Sequence, residues 1–195
     1  MYKLIVIICS TREGRKGPIV ADWFIPLAKA NKHFIVEVID LKEVNLPFMD
    51  EPNHPRLKKY TKKHTWDWSR IIDEADAFIM VLPEYNYGYP ATIKNAIDYL
   101  HQEWLYKPVG FVSYGGIAAG TRSIQALKQV LTALQMVPLM ESVNIPFFTK
   151  YINADNHFVA TEEQNHAAQN LLFSLEKWTE TLAPMRKARL HPEHK

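Results

Sequence analysis

Cysteine is all but missing from this chain. One, Cys9, stands among 195 residues, which excludes an internal disulfide framework and a cysteine-rich zinc site. Excess charge is missing too. Lys and Arg number 23 against 21 Asp and Glu, a formal net charge of +2, so there is no strong field to gather nucleic acid or an anionic membrane. Long apolar runs are absent as well: the longest early one, Leu4 to Cys9, is short of both a signal-peptide core and a membrane span. The eight histidines are scattered without an H-E-x-x-H or similar spacing, so no metal site is expected. What remains is a cytoplasmic globular protein with no nucleic-acid or membrane partner.

Glycine is scarce, with seven in all, and its placement is informative. Six fall in three short stretches (Gly14 and Gly17; Gly88; Gly115, Gly116 and Gly120), each following an apolar, β-rich run. Scarce glycine gathered after strands marks backbone that turns sharply or approaches a ligand closely. Ordinary strand-to-helix turns are the plainer reading of any one of them.

Those runs are Lys3 to Cys9, Ala77 to Leu82 and Pro108 to Tyr114; two more, Phe34 to Leu41 and Val137 to Ile145, complete five strands. Helical spacing follows Pro18 and Pro90, spans about 56–74 and 120–135, and returns from about Thr161 to Leu182, where Thr161 to Gln164 has the form of a capping box. Strands and helices alternate, and right-handed crossovers then require a parallel sheet with helices on both faces. The expected architecture is α/β: a three-layer sandwich around a five-stranded parallel sheet of order 2-1-3-4-5. One domain should cover 1–185, with a flexible basic tail over 186–195.

In such a sheet, ligands bind beyond the carboxyl ends of strands where the order reverses. Strands 1, 3 and 4 would be neighbours, and they carry the three glycine-bearing loops. The first, Ser10 to Ile19, combines hydroxyls, cations and glycines before a helix N-terminus, an arrangement suited to a phosphomonoester. It has neither the Walker A nor the G-x-G-x-x-G spacing, which disfavours a nucleoside triphosphate or a Rossmann-type dinucleotide. The second, Pro83 to Pro90, offers three tyrosines and an asparagine to a planar ligand, or to a subunit interface. The third, Tyr114 to Arg122, is small and rich in backbone amides.

Ser10-Thr11-Arg12, Pro83-Glu84-Tyr85-Asn86, Lys94 to Asp98, and Ser113-Tyr114-Gly115-Gly116 with Gly120 and Arg122 resemble the NADPH-dependent FMN reductase family over roughly residues 3–145. That family is flavodoxin-like and includes azoreductase, quinone reductase and chromate reductase members. The resemblance implies an FMN-dependent NAD(P)H oxidoreductase that passes a hydride from NADPH or NADH to FMN and then reduces a small acceptor: quinone, azo compound, metal oxyanion or flavin. It places the FMN phosphate on Ser10, Thr11, Arg12, Gly17, Pro18 and Ile19, with Arg15 and Lys16 as helpers. It places the flavin ring against Pro83, Glu84, Tyr85 and Asn86, with Ser113, Tyr114, Gly115 and Gly116 along its pyrimidine side. It also implies a homodimer or homotetramer, with Glu84 and Arg122 as candidate partners across subunits. Independently, Trp66 and Trp68, two apart on a helix, do not share a face, so at least one needs a partner that a subunit contact would supply. No side chain is assigned as acid, base or nucleophile. Two departures stand out: Cys9-Ser10 where the family's first loop usually begins Gly-Ser, and Ala118-Ala119-Gly120 in place of a more glycine-rich stretch.

Two other readings remain open at this level. One is a flavodoxin-type electron carrier without its own NAD(P)H oxidation. The other is a phosphate-ester enzyme built on Cys9 and Arg15, which satisfy a bare C-x5-R spacing.

Overall fold

A computed structural model describes residues 1–190. Five strands, β1 (Tyr2–Ile8), β2 (Phe34–Asp40), β3 (Ala77–Pro83), β4 (Pro108–Tyr114) and β5 (Val137–Ile145), form one sheet. All pairings are parallel, in the order β2-β1-β3-β4-β5. The order and the three-layer architecture are those expected. β3 and β4 are buried at every residue, as continuous apolar runs require when both faces of a sheet are covered.

The helices are α1 (Gly17–Ala30), the short α2 (Leu41–Val44), α3 (Lys63–Glu74), α4 (Ala91–Asp98), α5 (Thr121–Ala133) and α6 (Glu162–Leu190). α1 and α6 cover one face through Val20, Phe24, Leu171 and Leu175. α3, α4 and α5 cover the other through Trp68, Ile72, Ile97 and Leu127. α6 lies close enough to β4 that a side chain on Gly110 would collide with Leu171 and Ile79.

Three expectations change. The helix predicted over 56–74 is split: one 3-10 turn, Pro55–Leu57, precedes a loop, and α3 begins only at Lys63. The Glu51 carboxylate accepts from the Thr61 and Lys62 N–H groups at 2.8 and 2.9 Å and from the Thr61 hydroxyl. A distant carboxylate thus serves the donors leading into α3 that a local cap would otherwise satisfy. The final helix does start on its capping box, with Thr161 and Gln164 exchanging hydrogen bonds. It runs past 182, however, through Pro184 to Leu190. Arg186, expected in a flexible tail, is 5% exposed and pairs with Asp76 at 3.2 Å; residues 191–195 of that tail lie outside the described residues. Lastly, Trp68 is removed as a candidate contact across subunits, whereas Trp66 stays 49% exposed. Trp68 is buried and donates to the Ala96 carbonyl, while Trp66 packs edge-on against Tyr60 and donates to the Tyr60 carbonyl.

Candidate functional site

Parallel pairing aligns the carboxyl ends of β1, β3 and β4, and the loops that leave them enclose one cavity of about 420 Å3. Its walls are Arg12, Lys16, Pro83, Glu84, Tyr85, Asn86, Tyr114, Gly115, Gly116 and Phe148.

The first loop is pulled tight from outside the cavity. Arg15 grips both Asp40 carboxylate oxygens at 2.6 and 2.5 Å and the Ser10 carbonyl at 2.7 Å. Its charge is therefore spent on the end of β2, and of the two helpers only Lys16 reaches the cavity. Ser10 is fully buried and accepts from the Tyr114 hydroxyl at 3.3 Å. This contact needs glycine at 17: a methyl group there would collide with Ser10 Oγ and come within 3.0 Å of the Tyr114 hydroxyl. Among the described residues no acceptor engages the N–H groups of Thr11, Arg12, Glu13, Gly14 or Lys16. Free amides before a helix N-terminus, flanked by Arg12 and Lys16, form an anion cradle.

The second loop is a two-residue hairpin in which Tyr85 and Gly88 exchange backbone hydrogen bonds at 2.9 Å. Its central residues, Asn86 and Tyr87, take φ of +48° and +70°, the turn geometry that normally selects Asn-Gly. Tyrosine in the second place is strained. Arg12 lies over the Tyr85 ring at 5.7 Å and so links this loop to the first.

The third loop is held from beneath and behind. Ser113 does not face the cavity; it is buried and donates to the Ala119 carbonyl at 2.8 Å, with Asn144 Oδ1 at 2.9 Å. Gly120 has φ +83°, and a Cβ there would overlap Ser113. The Gly115 N–H is committed to the Ile145 carbonyl at 3.2 Å, whereas Gly116 is open, with nothing near where a Cβ would stand. The segment after β5 closes over this loop through Phe147 N–H to Gly116 and Phe148 N–H to Gly115. That places the Phe148 ring edge-on against Tyr114 at 5.0 Å. Sequence reasoning missed Phe148, because no motif precedes it; the aromatic pair Phe147-Phe148 directly after a strand end was the one available signal.

Of the residues singled out beforehand, Arg12, Pro83 to Asn86 and Tyr114 to Gly116 meet at the cavity. Ser10, Thr11, Gly17, Pro18 and Ile19 are not on its wall. Thr11 stands on the first loop, Ser10 and Gly17 are buried beneath it, Pro18 lies in the first turn of α1 and Ile19 packs against the core. Ser113 is buried under the third loop. Glu84 and Arg122 pair within the chain at 2.9 Å, so they are not placed as partners across subunits. Cys9 is wholly buried, its thiol donates to the Ile7 carbonyl, and burial pushes its pKa up. With Arg15 engaged elsewhere, the C-x5-R reading has neither a thiolate nor a free guanidinium. Among the described residues there is no His, Cys, Asp and Glu group that could hold a metal ion, and no helix long and apolar enough to cross a membrane.

Residues 2–150 match the family model described as NADPH-dependent FMN reductase. An NAD(P)H-dependent FMN reductase of Schizosaccharomyces pombe is 40% identical over 148 residues, covering 74% of each chain. Another, from Nectria sp, is 33% identical over 175 residues, covering 86% of this chain and 87% of its own. Among solved structures, a flavoenzyme NAD(P)H:(acceptor) oxidoreductase from Paracoccus denitrificans superposes with a TM-score of 0.73 at 21% identity, over 93% of this chain and 98% of that one. That likeness shows a shared fold.

Proposed function

The chain belongs to the NADPH-dependent FMN reductase family, and from that premise we infer that the cavity beyond β1, β3 and β4 is where FMN binds and where a small planar acceptor, a quinone or an azo compound, is reduced. The protein is an oxidoreductase with FMN as cofactor and NAD(P)H as electron donor. The observation that carries the site assignment is the convergence of three structurally distinct walls on one cavity: an amide-rich cationic cradle, an aromatic hairpin, and an open glycine edge.

FMN held in this cavity would supply the two-electron redox chemistry that connects nicotinamide and acceptor. The chain's own residues bind, orient and shield. Arg12 and Lys16, with the free amides of 11–14, hold the phosphate; Arg15 keeps that loop in shape from behind. Tyr85 and Asn86 form the wall against the ring. Since the Gly115 N–H is already occupied, Gly116, whose N–H meets no acceptor among the described residues and which lines the cavity, is the third-loop amide we assign to negative charge at the ring's pyrimidine edge. Phe148 and Tyr114 exclude water from that side. No side chain acts as a nucleophile or general acid. Ile117, 79% exposed at the tip of the third loop, is the apolar group we assign to a homodimer or homotetramer contact beside the cavity.

Absorbance spectroscopy of the purified protein tests this reading. Bands near about 375 and 450 nm after FMN addition, bleached without oxygen by NADPH, are expected. Bands that resist NADPH and bleach only with dithionite would instead describe an electron carrier.

A further inference from the structure

The aromatic hairpin and the glycine loop are joined by one side chain, Arg122, which lies outside the cavity wall. Its guanidinium donates to Glu84 Oε1 at 2.9 Å, and its backbone N–H, the second of α5, donates to Glu84 Oε2 at 3.3 Å. The same guanidinium stacks on the Tyr87 ring, 3.9 Å from its centroid. Glu84 is the first residue beyond β3, and its own N–H is tied to the Tyr114 carbonyl at 3.2 Å. A carboxylate on a helix N-terminus and a guanidinium stacked on an aromatic ring are each favourable. Here they share three residues and link both loops.

The strain in the hairpin gives this link its meaning. Asn86 and Tyr87 sit in the left-handed region, where glycine would be at ease and tyrosine is not. Residues held in sparsely populated backbone regions persist when their surroundings over-determine them, and they gather at ligand clamps. Tyr87 has no burial to hold it, being 71% exposed. Among the described residues, its one ring contact is the Arg122 stack.

We propose that Arg122, through Glu84 and Tyr87, is a positioning residue that clamps the strained hairpin in place and thereby sets how the isoalloxazine ring, as opposed to the phosphate, is held. The proposal rests on the flavin reading above. Arg122 touches neither wall of the cradle, so its contribution is to the ring wall of Tyr85 and Asn86 alone.

Riboflavin and FMN differ only in the phosphate, so titrating the folded protein with each, by quenching of flavin fluorescence, separates the two roles. Arg122→Ala should weaken both ligands by the same factor, about tenfold, and alter the visible circular dichroism of the bound flavin. Lys16→Ala, which removes a cation of the cradle that has no contact with the hairpin among the described residues, should weaken FMN alone and leave that spectrum unchanged. Tyr87→Phe, which keeps the ring, should bind as the parent does; Tyr87→Ala should match Arg122→Ala, and the double variant should be no worse than either single one. Arg122→Lys, which keeps the charge for Glu84 but loses the planar stack, should fall between. Unchanged riboflavin affinity and circular dichroism in folded Arg122→Ala, a loss confined to FMN, or additive losses in the double variant would each overturn the clamp. A parent protein that binds neither flavin overturns the flavin reading, and this inference with it.

Discussion

Cys9 shows how far one residue's role depends on its surroundings. As a letter before a basic loop it is a potential nucleophile; in the fold it is a wholly buried group whose thiol is held protonated by burial. Native protein at pH 8 should therefore react with a thiol reagent only as fast as the structure opens, and addition of denaturant should speed the reaction by orders of magnitude. Rapid stoichiometric labelling without denaturant would contradict the burial. Arg15 follows the same logic in reverse. Its charge was legible, but not its destination, since the Asp40 that takes it lies 25 residues on at the end of a neighbouring strand.

At the scale of elements, helix ends decide the site. α1 begins at Gly17, where the absence of a Cβ lets Ser10 and Tyr114 meet against the first turn. Gly17→Ala should shift that turn or displace Ser10, at a cost of about 1–3 kcal/mol in unfolding free energy from overpacking, and weaken FMN more than riboflavin; urea unfolding and the same fluorescence titrations measure both. α3 has borrowed ends. Glu51 serves the donors at its start, and the buried Lys107 donates to the Ile72 and Asp73 carbonyls at its finish, at 2.6 and 3.0 Å, where a cation also meets the negative pole of the helix. Neither residue is near α3 in sequence, which is why a single helix over 56–74 read plausibly while the chain breaks it. α6, by contrast, carries its own start signal in Thr161 to Gln164, and there the reading held. Its end did not show, because Pro184 looks like a terminator, whereas beyond it Arg186 is buried against Asp76 and the Thr179 carbonyl.

Across the whole molecule, buried hydroxyls and a buried carboxylate tie together segments far apart in sequence. Glu103 is fully buried and accepts from the Tyr60 hydroxyl at 3.0 Å and the Ser69 hydroxyl at 2.6 Å. Burial, aided by Glu103, pushes the Tyr60 pKa up; burial also raises Tyr114, and burial with the Asp50 hydrogen bond pushes Tyr99 up to about 12. These phenols keep their protons to higher pH folded than unfolded. Stability from them is full below about pH 10 and falls as pH rises through the folded values, by at most about 1.4 kcal/mol per pH unit for each tyrosine. Urea unfolding of the flavin-free protein between pH 8 and 11 should show that decline, and Tyr60→Phe should make it shallower while lowering stability near pH 8. A stability flat to pH 11 would contradict the burial of these hydroxyls. By itself, the sequence determined the strands, the three loops and the family, because apolar periodicity, turn residues and local motifs act over a few positions. The order 2-1-3-4-5, the common one for five such strands, is the order the structure has. Tertiary structure alone decided that Arg15 belongs to Asp40, that Ser113 supports where it was expected to line, that Phe148 closes the cavity, and that Glu84 and Arg122 meet within one chain. Those contacts, with Ser113 reaching Asn144 and Phe148 reaching Tyr114, join residues 25 to 38 positions apart, and no local pattern encodes which distant partner a charge or a ring will find.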